Sequence, residues 1–105
     1  MKKITRDSVN AFLNRREFTR QNTSVRRFKD KFYLILFNNT IAILHPDNKI
    51  QITNAGWESN TTKERLNGLI YLSGSNVEPI YQKNWVWYLN GKEWDGNLTQ
   101  IGFGI

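Results

Sequence analysis

IQITNAGWESNTTKERLNGL, residues 50–69, is the stretch on which the reading of the fold turns. Ile50 and Ile52 alternate with Gln51 and Thr53, the period-2 pattern of a half-buried strand. A polar turn around Trp57 follows, and then a short helix with a start and a stop. Thr61 and Glu64 have capping-box spacing: the threonine hydroxyl can accept from the backbone N–H three residues on, while the glutamate reaches back to the Thr61 N–H. Gly68 supplies a left-handed residue to end that helix. Strand, turn and helix specify a fold, and none of them specifies a reaction.

Working outward, Asp7 or Ser8 can cap a first helix whose apolar stripe is Val9, Phe12 and Leu13, with Arg15 and Arg16 in its last turn, where cations complement the helix dipole. Val25 and Phe28 lie in a basic extended segment, and Lys29-Asp30-Lys31 is the turn before the apolar run Phe32–Phe37. That run reads as a central strand buried on both faces, with Phe32 and Phe37 in the core. Asn38-Asn39 is read as a two-residue hairpin turn into a strand over Thr40–Leu44, which His45-Pro46-Asp47-Asn48 breaks. Beyond the second helix, Leu69–Leu72 fits no single state and Ser73–Asn76 is a loop. Val77–Gln82 reads as an irregular edge strand because of Pro79. Trp85–Leu89 is a strand, with Trp85, Trp87 and Leu89 on one face, and Asn90-Gly91 is a strong hairpin signal before Lys92–Trp94. The tail from Asn97, with Gly102 and Gly104, is either loose or a last edge strand.

Tight turns imply antiparallel neighbours. The expected class is therefore α+β: a mostly antiparallel sheet of about five to six strands with two short helices on one side. All 105 residues form one expected domain: a basic N-terminal helix and linker over 1–22, the sheet and second helix over 23–96, and a tail over 97–105. With 39% hydrophobic and 13% aromatic residues, a packed core is the default rather than disorder. The absence of cysteine excludes disulfide and thiolate chemistry and fits a reducing cytosol. No apolar run is long enough to span a bilayer, so no membrane association is expected, and the charged N-terminus has no apolar signal region.

Several segments taken together resemble a known family. They are Ala11–Asn14, Phe18, Asn22–Val25, Leu34–Ala42, Ile52–Trp57, Ser59–Asn67 and Trp87–Gly96. In this order and spacing they are similar to small, functionally uncharacterised proteins of tailed bacteriophages, over roughly residues 10–96. Ile52–Leu66 and Trp87–Gly96 are the most specific blocks. The chain departs from that pattern at Phe37-Asn38-Asn39, where the family has His-Gly-Asn, and in the longer Ile70–Pro79 segment. The resemblance implies a phage origin and expression in the host cytoplasm, and it brings no activity and no site residues.

Catalysis finds little to hold. His45 is the single histidine, and no Cys, His or carboxylate cluster has metal-ligand spacing, so neither metal nor cofactor is expected. Glu93 and Asp95 flank Trp94 and are best explained as the solvent side of a strand. Binding has more support. The net charge is +6, and ten of the fifteen basic residues lie among the first 31, giving that third +7 and the remainder −1. Arg20, Arg26, Arg27, Lys29 and Lys31 interleave with Phe28, Phe32 and Tyr33, a pattern in which cations meet phosphates and an exposed ring stacks on a base. Arg26 and Arg27 are adjacent, so on a strand they point to opposite faces. Trp57, among small and polar neighbours, is the best candidate for an exposed tryptophan, the other reading being a ring that caps the end of the core and donates its N–H to a turn carbonyl. The expectation is a non-enzymatic phage accessory protein with Arg15, Arg16, Arg20, Arg26, Arg27, Lys29, Lys31 and Trp57 as contact residues. Nucleic acid is its favoured partner, with an acidic host protein, inhibited or modulated by the contact, as the alternative.

Overall fold

A computed structural model describes residues 1–102 of the chain. Helix α1 (Lys3–Leu13) is followed by β1 (Phe18–Arg20), β2 (Thr23–Phe28), β3 (Lys31–Leu36), β4 (Asn39–Leu44) and β5 (Ile50–Ile52). Helix α2 (Asn60–Leu72) comes next, then β6 (Tyr81–Lys83), β7 (Val86–Leu89), β8 (Lys92–Glu93) and β9 (Thr99–Ile101). The first five strands and β9 form one antiparallel sheet in the order β1-β2-β3-β4-β5-β9, and β6-β7-β8 form a smaller one. The α+β reading is correct. The segment expected to be a linker holds β1, and the tail ends as an edge strand on β5; Phe103, Gly104 and Ile105 lie outside the described residues.

One face of the large sheet is dry. Cross-strand register aligns Val25 with Leu34 and Ala42, and Phe32 with Leu44 and Ile50, and all six are buried with Val9 and Phe12 of α1. A bulge opposite Leu34 and Ile35 lets the neighbours Ile41 and Ala42 both be buried. Leu66, Leu69 and Ile70 of α2 join the same core, as do Ile80, Trp87, Leu89 and Trp94 from the smaller sheet and its approach. Contacts on either side of that sheet in the chain attach it to the rest. Asn67 of α2 donates to Ile80 O at 2.9 Å and accepts from Ile80 N–H at 2.6 Å. Gly96, at φ +84°, presses so close to Asn54 that a side-chain carbon there would fall 2.0 Å from the Asn54 amide.

Both helices depart from their expected limits. Helix α1 begins at Lys3, so Asp7 and Ser8 sit inside it rather than capping it; Asp7 pairs with Lys3 and Arg20 instead. It ends at Leu13, and Arg15 and Arg16 lie beyond its last turn. Arg16 N–H reaches Ala11 O and Arg15 N–H reaches Phe12 O, a Schellman ending in which Arg15, at φ 55°, takes the left-handed place usual for glycine. Helix α2 is capped by Ser59, whose hydroxyl accepts from Thr62 N–H at 3.1 Å, not by Thr61. Nor does Gly68 end it: the helix runs to Leu72 and stops with the same Schellman bonds around Gly74. Gly68 is needed for closeness, since a side-chain carbon there would lie 2.3 Å from the Thr5 methyl of α1.

Extending α2 places Arg65 on the buried stripe with Thr62, Leu66, Leu69 and Ile70. Its guanidinium, 3% exposed, donates to Thr23 Oγ1 of β2 at 3.1 Å and to Thr5 Oγ1 of α1 at 2.9 Å, and pairs with Glu64. The Glu64 carboxylate also accepts from Thr5 Oγ1 and from the Lys2 N–H. Burial pushes the Glu64 carboxyl up, but these hydrogen bonds and the Arg65 charge outweigh it and hold the group below its ordinary value of 4.5.

Two outcomes follow for stability. Arg65→Ala strands Thr5, Thr23 and Glu64 together and is expected to cost about 3 kcal/mol in urea unfolding. Because Glu64 has a lowered value in the folded chain, its contribution is complete above about pH 4.5 and is lost as pH falls through the folded value. Melting curves from pH 7 downward should therefore show the advantage of the native protein over Glu64→Gln narrowing on the acid side; a constant gap would contradict the assignment.

Candidate functional site

The face of the large sheet turned from the helices is built by the alternate residues of each strand. Ser24, Arg26 and Phe28 come from β2, Lys31, Tyr33 and Ile35 from β3, Ile43 from β4, Gln51 from β5 and Gln100 from β9. All of them are at least partly exposed, and no carboxylate is among them. Register places Arg26 opposite Tyr33 and Phe28 opposite Lys31. The two cations and the two rings thus alternate around one cross-strand quartet. Phe28 is 63% exposed, and Lys29, from the turn, holds its ammonium 5.6 Å from that ring's centre.

The expected contact residues divide. Arg26, Lys29 and Lys31 gather about Phe28, where both Phe28 and Tyr33 are accessible, with Asp30 in the same turn. Arg27 points to the opposite face at the strand's end; its Nε donates to Lys29 O at 3.0 Å and its backbone N–H is held by Glu17. Arg15 is occupied structurally, donating to His45 O at 3.0 Å and Asn48 Oδ1 at 2.8 Å. Arg20 pairs with Asp7 at 2.7 Å and lies over the Phe18 ring, while Arg16 is exposed at the end of α1. His45 is bonded to Gln51 through Nε2 at 2.6 Å.

Trp57 is exposed, at 60%, rather than capping the end of the core, and it lies at the other end of β3 from the basic turn. It shares a cleft of about 370 Å3 with Phe37, Leu36, Ile41, Asn39 and Thr61. Phe37 is not a core residue. It lies beyond the strand at φ 49°, and with Asn38 at 66° it forms the type I′ turn expected one residue later, at Asn38-Asn39. The β3 run is accordingly dry on one face only, with Tyr33 and Ile35 half-buried on the other.

Trp85 repeats this departure. Instead of sharing a strand face with Trp87 and Leu89, it takes φ 68° next to Asn84 at 52°, in a type I′ turn between β6 and β7, and is 86% exposed. The Asn90-Gly91 turn forms as expected. Val77–Ile80 is not strand, and β6 begins only at Tyr81. Glu93 and Asp95 are both exposed, Asp95 turning back to the Asn97 N–H. Position-by-position alternation could not reveal that Phe37 and Trp85 are turn residues, because each directly adjoins an alternating apolar run.

The chain matches the family model described as Kyanoviridae Gp96 protein over residues 1–103, and it belongs to that bacteriophage protein family. Neither a curated protein nor a solved structure matches it. No helix is long and apolar enough to cross a membrane, among the described residues.

An exposed tryptophan at positive φ strains the backbone without covering core. Trp85→Gly converts that turn to Asn-Gly and is expected to raise stability by about 1 kcal/mol, read as a higher urea midpoint with unchanged slope.

Proposed function

We propose that this protein binds single-stranded nucleic acid on the open face of its large sheet. The observation that carries the reading is the quartet of Arg26, Phe28, Lys31 and Tyr33, in which cations and accessible rings alternate on a face without strand carboxylates. Cations at that spacing can neutralise successive phosphates while bases stack on the rings, a mode that needs no sequence-reading motif. An open sheet face also suits a flexible strand better than a rigid duplex, whose grooves call for a projecting helix or ribbon. The role is that of a small phage accessory protein acting by binding rather than by catalysis, in the cytoplasm of the infected host. Trp85, exposed at a hairpin tip, favours a second reading in which an acidic host protein is the partner, since tryptophan and arginine are common interface anchors.

Fluorescence anisotropy with labelled single- and double-stranded DNA and RNA at two salt concentrations tests the proposal. Single strands should bind more tightly than duplex. Phe28→Ala should weaken binding about tenfold at both salts. Arg26→Ala and Lys31→Ala should each flatten the logarithmic salt dependence by about 0.7. If no oligonucleotide binds at low salt, nucleic acid is not the ligand and the acidic partner becomes the reading to pursue.

A further inference from the structure

The cleft at the Phe37 end of β3 has a chemistry different from that of the sheet face. At about 370 Å3 it falls within the roughly 300–1,000 Å3 of small-molecule sites. Leu36, Ile41, Phe37 and Trp57 supply apolar wall, Asn39 and Thr61 supply an amide and a hydroxyl, and no charged side chain lines it. The Asn39 amide nitrogen donates to Phe37 O at 3.0 Å, leaving its carbonyl and the Thr61 hydroxyl without a hydrogen-bond partner among the described residues. Both rings stand where folding alone gives no reason for them. Phe37 is 57% exposed in a left-handed turn position where Asn or Gly is the favoured residue, and Trp57 is 60% exposed.

We propose that this cleft binds an uncharged, planar heteroaromatic ring of the nucleobase class, stacked on Phe37 and Trp57, with its polar edge met by Asn39 and Thr61. The lining selects this class. An anionic group would find no cation there. An aliphatic side chain would cover the Asn39 carbonyl and the Thr61 hydroxyl without pairing them. A base offers a ring face for the aromatics and neutral donors and acceptors for the other two, and stacking tolerates any of the four. The ring could belong to a free nucleoside or to a strand. This site stands apart from the sheet-face reading, because a nucleoside has no phosphate for Arg26, Lys29 or Lys31 to meet.

Titration of isotope-labelled protein with adenosine and uridine, followed by NMR, tests the site without involving the basic face. The Trp57 indole N–H resonance, assigned by its disappearance in Trp57→Phe, should shift saturably while the Arg26 amide stays in place. Phe37→Asn suits the type I′ turn and so should keep the fold, yet it should weaken nucleoside binding about tenfold through loss of one stacking partner. The same resonance followed with a short single-stranded oligonucleotide identifies the source: a larger shift than with nucleoside assigns the cleft to a base of a bound strand, and no shift assigns it to free nucleosides. The proposal is overturned if neither nucleoside moves the Trp57 resonance, if Phe37→Asn binds as tightly as the native chain, or if an uncharged aromatic peptide binds the cleft more tightly than either nucleoside.

Discussion

The Arg65 guanidinium is the contact on which the arrangement of this protein depends. Carried by α2, it is buried, and its bonds reach two elements distant in the chain, at Thr5 of α1 and Thr23 of β2. Apolar packing is tolerant of direction, and α1 could lie against the sheet at several angles with similar burial. A planar donor with fixed bond directions is not tolerant. The Arg65 bonds select the one approach in which Thr5 and Glu64 share a hydrogen bond and Gly68 lets the helices nearly touch at Thr5. Breaking any one of these contacts exposes the others to an uncompensated buried charge, which makes the helix pair a unit rather than two separate additions to the sheet.

With both helices held on one face, the other face of the large sheet is left to solvent. That asymmetry gives the strand sequences their meaning. Val25, Leu34, Ala42 and Ile52 answer one another across the dry side, while Arg26, Tyr33, Ile43 and Gln51 answer one another across the wet side. The excess positive charge of the N-terminal third is thereby dispersed. Arg15 and Arg20 are committed to holding loops and helix and Arg27 to the strand's end, while Lys29, Lys31 and Arg26, the last also donating to Phe18 O at 3.4 Å, lie beside the exposed Phe28 ring. Net charge alone overstates how many cations stand free at the surface, because several are already paired within the fold.

Most of the strands were legible from local signals: alternation for β5, an unbroken apolar run for β3, and the Asn90-Gly91 turn for the β7–β8 hairpin. The run located β3 but not its wet face, on which Tyr33 and Ile35 are half-buried. The helix limits were not legible. Thr61 and Glu64 have the spacing of a capping box, yet Ser59 is the better-placed acceptor and Glu64 is drawn away to Thr5 and Arg65, partners invisible without the tertiary fold. Gly68 looked like a stop for the same reason, since a glycine needed for close approach and one needed for positive φ are the same letter. The buried role of Arg65 did leave a trace: continuing the helical period from Thr62 through Leu66, Leu69 and Ile70 puts it on the apolar stripe. Of the candidate sites, the basic turn was legible, whereas small and polar neighbours fitted both an exposed Trp57 and one capping the core. The cleft was not legible, because it is assembled from the β3–β4 turn, the bulge at Ile41 and the start of α2.

The segments Ile52–Leu66 and Trp87–Gly96 meet in space. Asn54 receives Gly96, and the Lys63 ammonium lies 5.9 Å from the centre of the Trp87 ring, whose N–H is buried without a hydrogen-bond partner among the described residues. Asn54 N–H donates to Gly96 O at 3.0 Å and the Thr53 hydroxyl to the same oxygen at 2.6 Å, so the loop carrying Trp57 is braced by the segment between β8 and β9. Its own bonds finish the brace: Gly56 N–H to Asn54 Oδ1 at 2.8 Å, and Trp57 N–H to Asn54 O at 2.8 Å. A tryptophan presented to solvent on a loop held by four such bonds has lost most of its backbone freedom before any partner arrives. For the proposed cleft, that rigidity would cost entropy during folding rather than during binding.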